Sequence, residues 1–426
     1  MQKVLIITYY WPPAGGPGVQ RWLKFVKYLR DFNIEPVLYV PKNPHYPMTD
    51  ESFVDEVPEG IKMYRHPIFE PYGLASIFSS KKTAQISAGI ITTKNQTLLE
   101  KALLWVRGNL FIPDARKFWV KPSVKFLAEV LQKENIETII TTGPPHSVHL
   151  IGHGLKKRHS INWLADFRDP WTSIGYHEKL KLSRVSRKKH EYLENLVLNG
   201  ADKILVTSHT TKNEFSVITN KPIEVITNGF DTKEDVPVPL DESFTISHIG
   251  SLLSGRNPAS LWKALAELID ENGSFKESFT LQLAGVVSED VLESVYGAGL
   301  KPYTELLGYV SHEEALRFQK KSQVLLLVEI DSEETKGIIP GKVFEYMAAK
   351  RPILGIGPKG WEVGQIVANT HTGKTFEYQE KELIKKQLLE WFMAYKTKEL
   401  ILPSANIGQY HRRELTRKLS KYLQWE

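Results

Sequence analysis

The chain has 426 residues, of which 42% are hydrophobic and 24% charged, a composition that suits two large globular domains or three smaller ones. It contains no cysteine, which excludes disulfides, thiolate metal sites and thiol catalysis. No apolar run approaches the ~18 residues needed to cross a bilayer, and the first residues enter a strand pattern without a small-residue cleavage site, as expected of a cytoplasmic protein.

The net charge of +6 is unevenly placed. Residues 74–126 hold nine basic side chains (Lys81, Lys82, Lys94, Lys101, Arg107, Arg116, Lys117, Lys121 and Lys125) against two acids, Glu100 and Asp114, a net of +7. Phe78, Leu103, Leu104, Trp105, Phe111, Phe118 and Trp119 are interleaved with them. That mixture suits a peripheral contact with an anionic membrane surface or a pyrophosphate-bearing lipid. Nucleic acid is the alternative partner, and a solvated surface whose aromatics face the core is the plain structural one.

Apolar strand-like runs occur at 4–8, 36–40, 62–65, 138–142, 162–166, 203–207 and 224–226. They recur at 244–249, 280–284, 324–329 and 352–356. Between the first two, Trp22, Phe25, Val26 and Leu29 repeat with helical spacing. Short apolar strands alternating with amphipathic helices predict an α/β protein of two doubly wound, Rossmann-like domains facing across a cleft. Charges and the run Val236-Pro237-Val238-Pro239 place the boundary within 231–241. The expected division is 1–230, 231–403 and a last helix at 404–426 that packs back on the first domain.

The chemistry-bearing residues gather where strands end. After the first strand comes Pro12-Pro13-Ala14-Gly15-Gly16-Pro17-Gly18, a loop that brings backbone N–H groups close to an anion or sugar. A dinucleotide fingerprint would need a glycine at position 21, where Arg21 stands, and an acid at the end of the second strand, which closes with Tyr39-Val40-Pro41-Lys42. A dehydrogenase is therefore discounted. Gly143-Pro144-Pro145-His146 closes one strand, and His146 there can bind a hydroxyl or act as a base. Asp166-Phe167-Arg168-Asp169-Pro170-Trp171 closes another. Its charges form either a cluster on the cleft floor or an Arg168–Asp ion pair that fixes the loop. Gly250-Ser251 leaves room for a diphosphate, onto which Arg256 can fork. In Lys342-Val343-Phe344-Glu345-Tyr346-Met347-Ala348, residues Val343, Phe344, Met347 and Ala348 share a helical face. Lys342 at the helix start suits a phosphate and Glu345 suits sugar hydroxyls, unless the two form an i,i+3 ion pair. No His/Asp/Glu set has metal-ligand spacing.

Taken in order, these pieces resemble the retaining glycosyltransferases of the GT-B fold, glycosyltransferase group 1 (family four). The match runs through Gly15-Gly16, Asn228 to Asp231, Gly250 with Arg256, Leu307-Gly308-Tyr309-Val310 and Lys342 to Ala348. Pro144-Pro145-His146 and Asp166 to Trp171 resemble a subgroup associated with surface polysaccharide assembly. The resemblance implies metal-independent transfer of a sugar from a nucleotide-diphosphate donor to a glycan or lipid-linked acceptor. Gly250, Ser251, Val310, Arg256, Lys342 and Glu345 would then hold the donor, with Glu345 on the ribose and Val310 near the base. Gly15, Gly16, Arg21, Arg168 and Asp169 would line the acceptor side, and His146 and Asp166 would be catalytic. The sequence departs from the family at Gly337, where a glutamate supporting the donor sugar is usual. Glu333 and Glu334 are the nearest acids. A nucleotide-sugar epimerase of the same fold and a non-catalytic nucleotide-sugar-binding protein remain as alternatives.

Overall fold

The computed structural model describes residues 1–70, 98–173, 180–231 and 238–425. The chain divides into two units, Met1–Thr227 with Arg412–Glu426, and Asn228–His411. The expected first boundary, 230/231, thus falls at 227/228. The chain rejoins the first unit at residue 412 rather than at 404.

In the first unit, strands β1 (Gln2–Thr8), β2 (Ile34–Pro41), β3 (Lys62–His66), β4 (Thr138–Gly143), β5 (Asn162–Phe167), β6 (Lys203–Val206) and β7 (Ile223–Val225) form one sheet. Its order is β3-β2-β1-β4-β5-β6-β7, and every neighbouring pair is parallel. Strand β1 shows why. Val4, Leu5, Ile6 and Ile7 are all fully buried, and successive side chains of a strand point to opposite faces, so both faces must be covered. Leu5 and Ile7 pack with Leu127, Ile151 and Val197 on one face. Val4 and Ile6 pack with Trp22, Val26, Leu415 and Leu419 on the other. The last two belong to the helix Arg412–Tyr422, which lies against the helix Pro17–Leu29. That terminal helix is shorter than the sequence suggested, with a single turn at Ile407–Tyr410 before it.

The second unit repeats the plan with β8 (Phe244–Ile249), β9 (Phe279–Ala284), β10 (Thr304–Gly308), β11 (Val324–Val328), β12 (Ile353–Gly357) and β13 (Gly373–Glu377). The order is β10-β9-β8-β11-β12-β13, again parallel throughout. The chain winds outward from β1 and from β8, then crosses back to β4 and to β11. Each sheet therefore has a switch point at the carboxyl ends of those strands, where open α/β sheets bind ligands. Strands β10 and β13 escaped the sequence reading. Both are edge strands, and the mostly exposed Thr-Glu-Leu-Leu-Gly of β10 and half-exposed Gly-Lys-Thr-Phe-Glu of β13 carry no continuous apolar run.

Candidate functional site

In the second unit the site is built on glycine. Gly250 follows β8 with φ +130°, and Gly285 follows β9 with φ +110°, conformations that L side chains rarely adopt. The Gly250 N–H donates to the Ala284 carbonyl at 2.7 Å, and the Gly285 N–H donates to the Gly308 carbonyl at 2.6 Å. A Cβ on Gly285 would lie 2.7 Å from the Gly250 carbonyl, so only hydrogen fits there. The result is a shelf of glycine backbone at the carboxyl ends of three adjacent strands.

Lys342 stands against this shelf, and Arg256 is near enough to Lys342 to act on it electrostatically. Lys342 opens the helix Lys342–Ala348, and its Nζ occupies the space that a Gly250 Cβ would need, with Cε 2.5 Å from that position. The helix is pinned by Val343, Phe344, Tyr346 and Met347, all fully buried, and the Tyr346 hydroxyl accepts the Ile249 N–H at 3.2 Å. Burial draws the Lys342 pKa below its ordinary value; Arg256 adds to the fall, while Glu345 and Glu329 oppose it. Arg256 donates through Nε and Nη2 to Glu329 Oε1 at 3.1 and 2.8 Å. Glu329, just past β11, also accepts the Ile330 N–H, and its Oε2 is buried without a hydrogen bond. Glu345 is not ion-paired with Lys342 but accepts from Gln319 Nε2 at 3.1 Å. Val310, beyond the end of β10, is half-buried, and its neighbour Tyr309 is 91% exposed. Gly337 lies in a turn. Glu333 and Glu334 are exposed, with Glu333 paired to Lys336. Ser251 sits at the exposed rim.

The first unit's switch point is filled differently. Asp166, at the end of β5, is fully buried and accepts from Arg21 Nη2 at 3.1 Å, Trp22 Nε1 at 2.7 Å and Thr142 Oγ1 at 2.7 Å. Arg21 also donates to the Thr227 carbonyl at 2.8 Å. Asp166, Arg168 and Asp169 lie near enough to act on one another electrostatically, but the buried ion pair of Asp166 is with Arg21 rather than Arg168. Arg168 instead donates to the Gly143 and Pro144 carbonyls and lies 5.8 Å from the centre of the Tyr10 ring. It also explains Gly18, where a Cβ would overlap the guanidinium. Gly15 donates its N–H to the Met48 carbonyl, and Gly16 begins the helix Pro17–Leu29 with φ +101°. His146 is 4% exposed and stacks on Trp171, with ring centres 4.6 Å apart and planes within 5°. The helix behind it, Ser147–Lys156, is anchored by Asp114, which accepts from the Ser147 N–H and hydroxyl at 2.9 and 2.8 Å.

Sequence reasoning missed Glu329, Gly285, Trp22, Thr142 and Tyr346. Only Glu329 left a signal, as an acid closing an otherwise apolar strand. Among the described residues, no group of three or more His, Asp or Glu side chains is placed to hold a metal ion.

Two parallel, doubly wound units, each with a switch point at the carboxyl ends of its strands, define the GT-B-like class of α/β proteins. Residues 86–234 match the family model described as Glycosyltransferase Family 4. No curated protein matches the sequence. Among solved structures, the chain is similar to a glycosyltransferase from Rickettsia africae ESF-5, with 14% identity, a TM-score of 0.61, and 99% of this chain and 97% of that chain covered. It is also similar to Anabaena HepE in complex with UDP-glucose, at 12% identity, TM-score 0.57 and 99% coverage of both. A third is a putative UDP-N-acetylglucosamine 2-epimerase from Listeria monocytogenes, at 13% identity, TM-score 0.54, and 98% and 94% coverage. At these identities the structural likeness is one of fold. Together with the family match, it supports a glycosyltransferase.

Proposed function

We propose that the protein transfers a sugar from a nucleotide-diphosphate donor to a hydroxyl acceptor, with retention and in surface polysaccharide assembly. One observation carries the reading. Lys342 lies against Gly250 at the switch point of the second sheet, and Arg256, paired with Glu329, is near enough to act on it electrostatically. A diphosphate there would meet two cations and a glycine backbone, with Lys342 itself occupying the space in front of Gly250. As the donor bond breaks, negative charge builds on the leaving diphosphate, and preorganised cations stabilise it without a proton transfer. Glu345 and Val310 would serve the ribose and base. His146, Gly15, Gly16 and Arg168 would serve the acceptor side, and the buried Asp166 would act by holding Arg21 in place. Gly337 leaves the sugar contact without an assigned acid.

A thermal-shift series with nucleotide sugars, nucleotides and inorganic pyrophosphate tests the reading. A native-state ligand at one hundred times its Kd stabilises by about 2.7 kcal/mol, several degrees for a unit of this size. A silent panel would defeat the proposal. The epimerase resemblance makes one further assay decisive: conversion of donor alone, with no acceptor, would favour isomerisation. Donor binding without turnover on any acceptor would favour a binding protein.

A further inference from the structure

The solvent face of the helix Lys117–Glu134 has no counterpart in the donor site. Lys117, Lys121 and Lys125 recur every fourth residue and so stand in one row. Lys121 and Lys125 are exposed, and none of the three is ion-paired among the described residues. Phe118, Leu110 and Phe69 beside the row are 43%, 55% and 59% exposed. These groups are contiguous. The Phe69 and Phe118 rings meet edge to face at 5.7 Å. Lys117 Nζ lies 5.3 Å from the Phe118 ring centre and donates to the Leu110 carbonyl at 2.6 Å. The nearby acid Asp114 is occupied by Ser147, and the next acid along the row is Glu129, one turn past Lys125. Of the aromatic and aliphatic residues interleaved in this segment, Leu104 and Trp119 belong to the core. Phe78, Lys81, Lys82 and Lys94, and the side chains of Lys101 and Leu103, lie outside the described residues.

Singly exposed apolar side chains are ordinary on a protein surface, but a cluster rimmed by unpaired cations is not. We infer that this face docks on an anionic lipid bilayer, with Phe69, Leu110 and Phe118 entering the interface and the lysine row meeting headgroup phosphates. A second copy of the chain would set two like-charged rows against each other. Nucleic acid would satisfy the lysines but leave Leu110 and Phe69 in water. Among the described residues, no helix is long and apolar enough to cross a membrane, so the contact is one of a surface lying on a surface. The inference is independent of sugar transfer.

Co-sedimentation of the full chain with vesicles tests it, comparing phosphatidylcholine alone with phosphatidylcholine mixed with phosphatidylglycerol. The expected result is binding to the mixed vesicles only, weakened by salt. Lys121→Gln with Lys125→Gln should lower the partition coefficient roughly 30-fold, about fivefold per lysine. Phe118→Ser should lower it roughly tenfold, at unchanged melting temperature. Nucleotide-sugar thermal shifts should be the same in all three proteins, which separates this result from the fate of the donor site. Four outcomes would overturn the inference: equal binding to neutral vesicles, wild-type binding by the double variant, binding to duplex DNA in place of vesicles, or a concentration-dependent dimer abolished by Phe118→Ser.

Discussion

Gly250→Ala separates the shelf-and-cation reading from a merely structural glycine. The backbone term comes first: φ +130° at this position is a region where a non-glycine residue costs about 1–3 kcal/mol. For a unit the size of Asn228–His411, 2 kcal/mol lowers the melting temperature by about 4–8 °C. The steric term is cheaper in stability and dearer in function. The new Cβ would overlap Lys342 Nζ and lie 2.5 Å from Cε, against an ordinary contact of about 3.5 Å. Lys342 is flexible and would move by about 1 Å or more, carrying its charge off the shelf. A misplacement of that size in a positioning group costs on the order of 10²-fold in turnover. Scanning calorimetry, with and without saturating pyrophosphate, reads both terms. Gly297→Ala is the control, since no atom lies within 4 Å of its added Cβ and its melting temperature should hold or rise slightly. A Gly250→Ala protein that melts lower but keeps the full pyrophosphate shift would refute the placement of the anion beside Lys342.

The remaining predictions rest on other contacts. Lys342→Ala and Arg256→Ala should each slow transfer by on the order of 10²-fold, measured as kcat with saturating acceptor. Arg256→Ala should also lower the melting temperature, because it leaves the Glu329 carboxylate buried and unpaired. Asp166→Asn should destabilise the first unit by about 3 kcal/mol, since Arg21 is buried against it; unchanged folding with abolished turnover would instead make Asp166 catalytic. His149 and His248 are buried, and desolvation lowers each imidazole pKa to about 3. The unfolded chain takes up a proton near pH 6.5 that the folded chain refuses, so stability is full above that pH and falls as pH drops toward 3. From pH 7 to 5 each histidine should remove about 2 kcal/mol. In urea titrations, His149→Gln should flatten this slope for the first unit and leave the second unchanged.

The interior strands were legible because they are buried on both faces: Val4 to Ile7, Ile139 with Ile140, and Leu325 to Leu327 leave a continuous apolar trace whatever their neighbours. Strands β10 and β13 were not, because their mostly exposed or half-exposed side chains leave no continuous apolar run, whereas the edge strands β3 and β7 were still readable. The site divides along similar lines. Gly250, Arg256 and Lys342 were readable as a glycine and two cations at element ends. Glu329 was not, since its role depends on the crossover from β8 to β11 that places it against Arg256. In the same way, nothing local to Arg21 announces Asp166, which lies 145 residues away.

Under the proposed function, that pairing bears on which switch point would take the diphosphate. Each unit sets an arginine from the chain after its first strand against an acid that closes a later one. In the first unit both side chains are essentially inaccessible, at 1% and 0%, and the acid's remaining bonds are filled by Trp22 and Thr142. Opening that pair would strand a carboxylate and a guanidinium in low dielectric, which costs several kcal/mol before any ligand is bound. In the second unit the arginine is 30% exposed while its glutamate is 1% exposed, and Arg256 grips only Oε1. Lys342 adds a second cation there, and its lowered pKa reports charge held under desolvation. An incoming diphosphate would replace part of the Arg256 contact with a stronger, doubly charged partner and relieve the Lys342 penalty at the same stroke. The first unit's pair offers no such exchange. The same fold, used twice, thus yields one fully buried arginine–carboxylate pair and one whose arginine stays partly exposed.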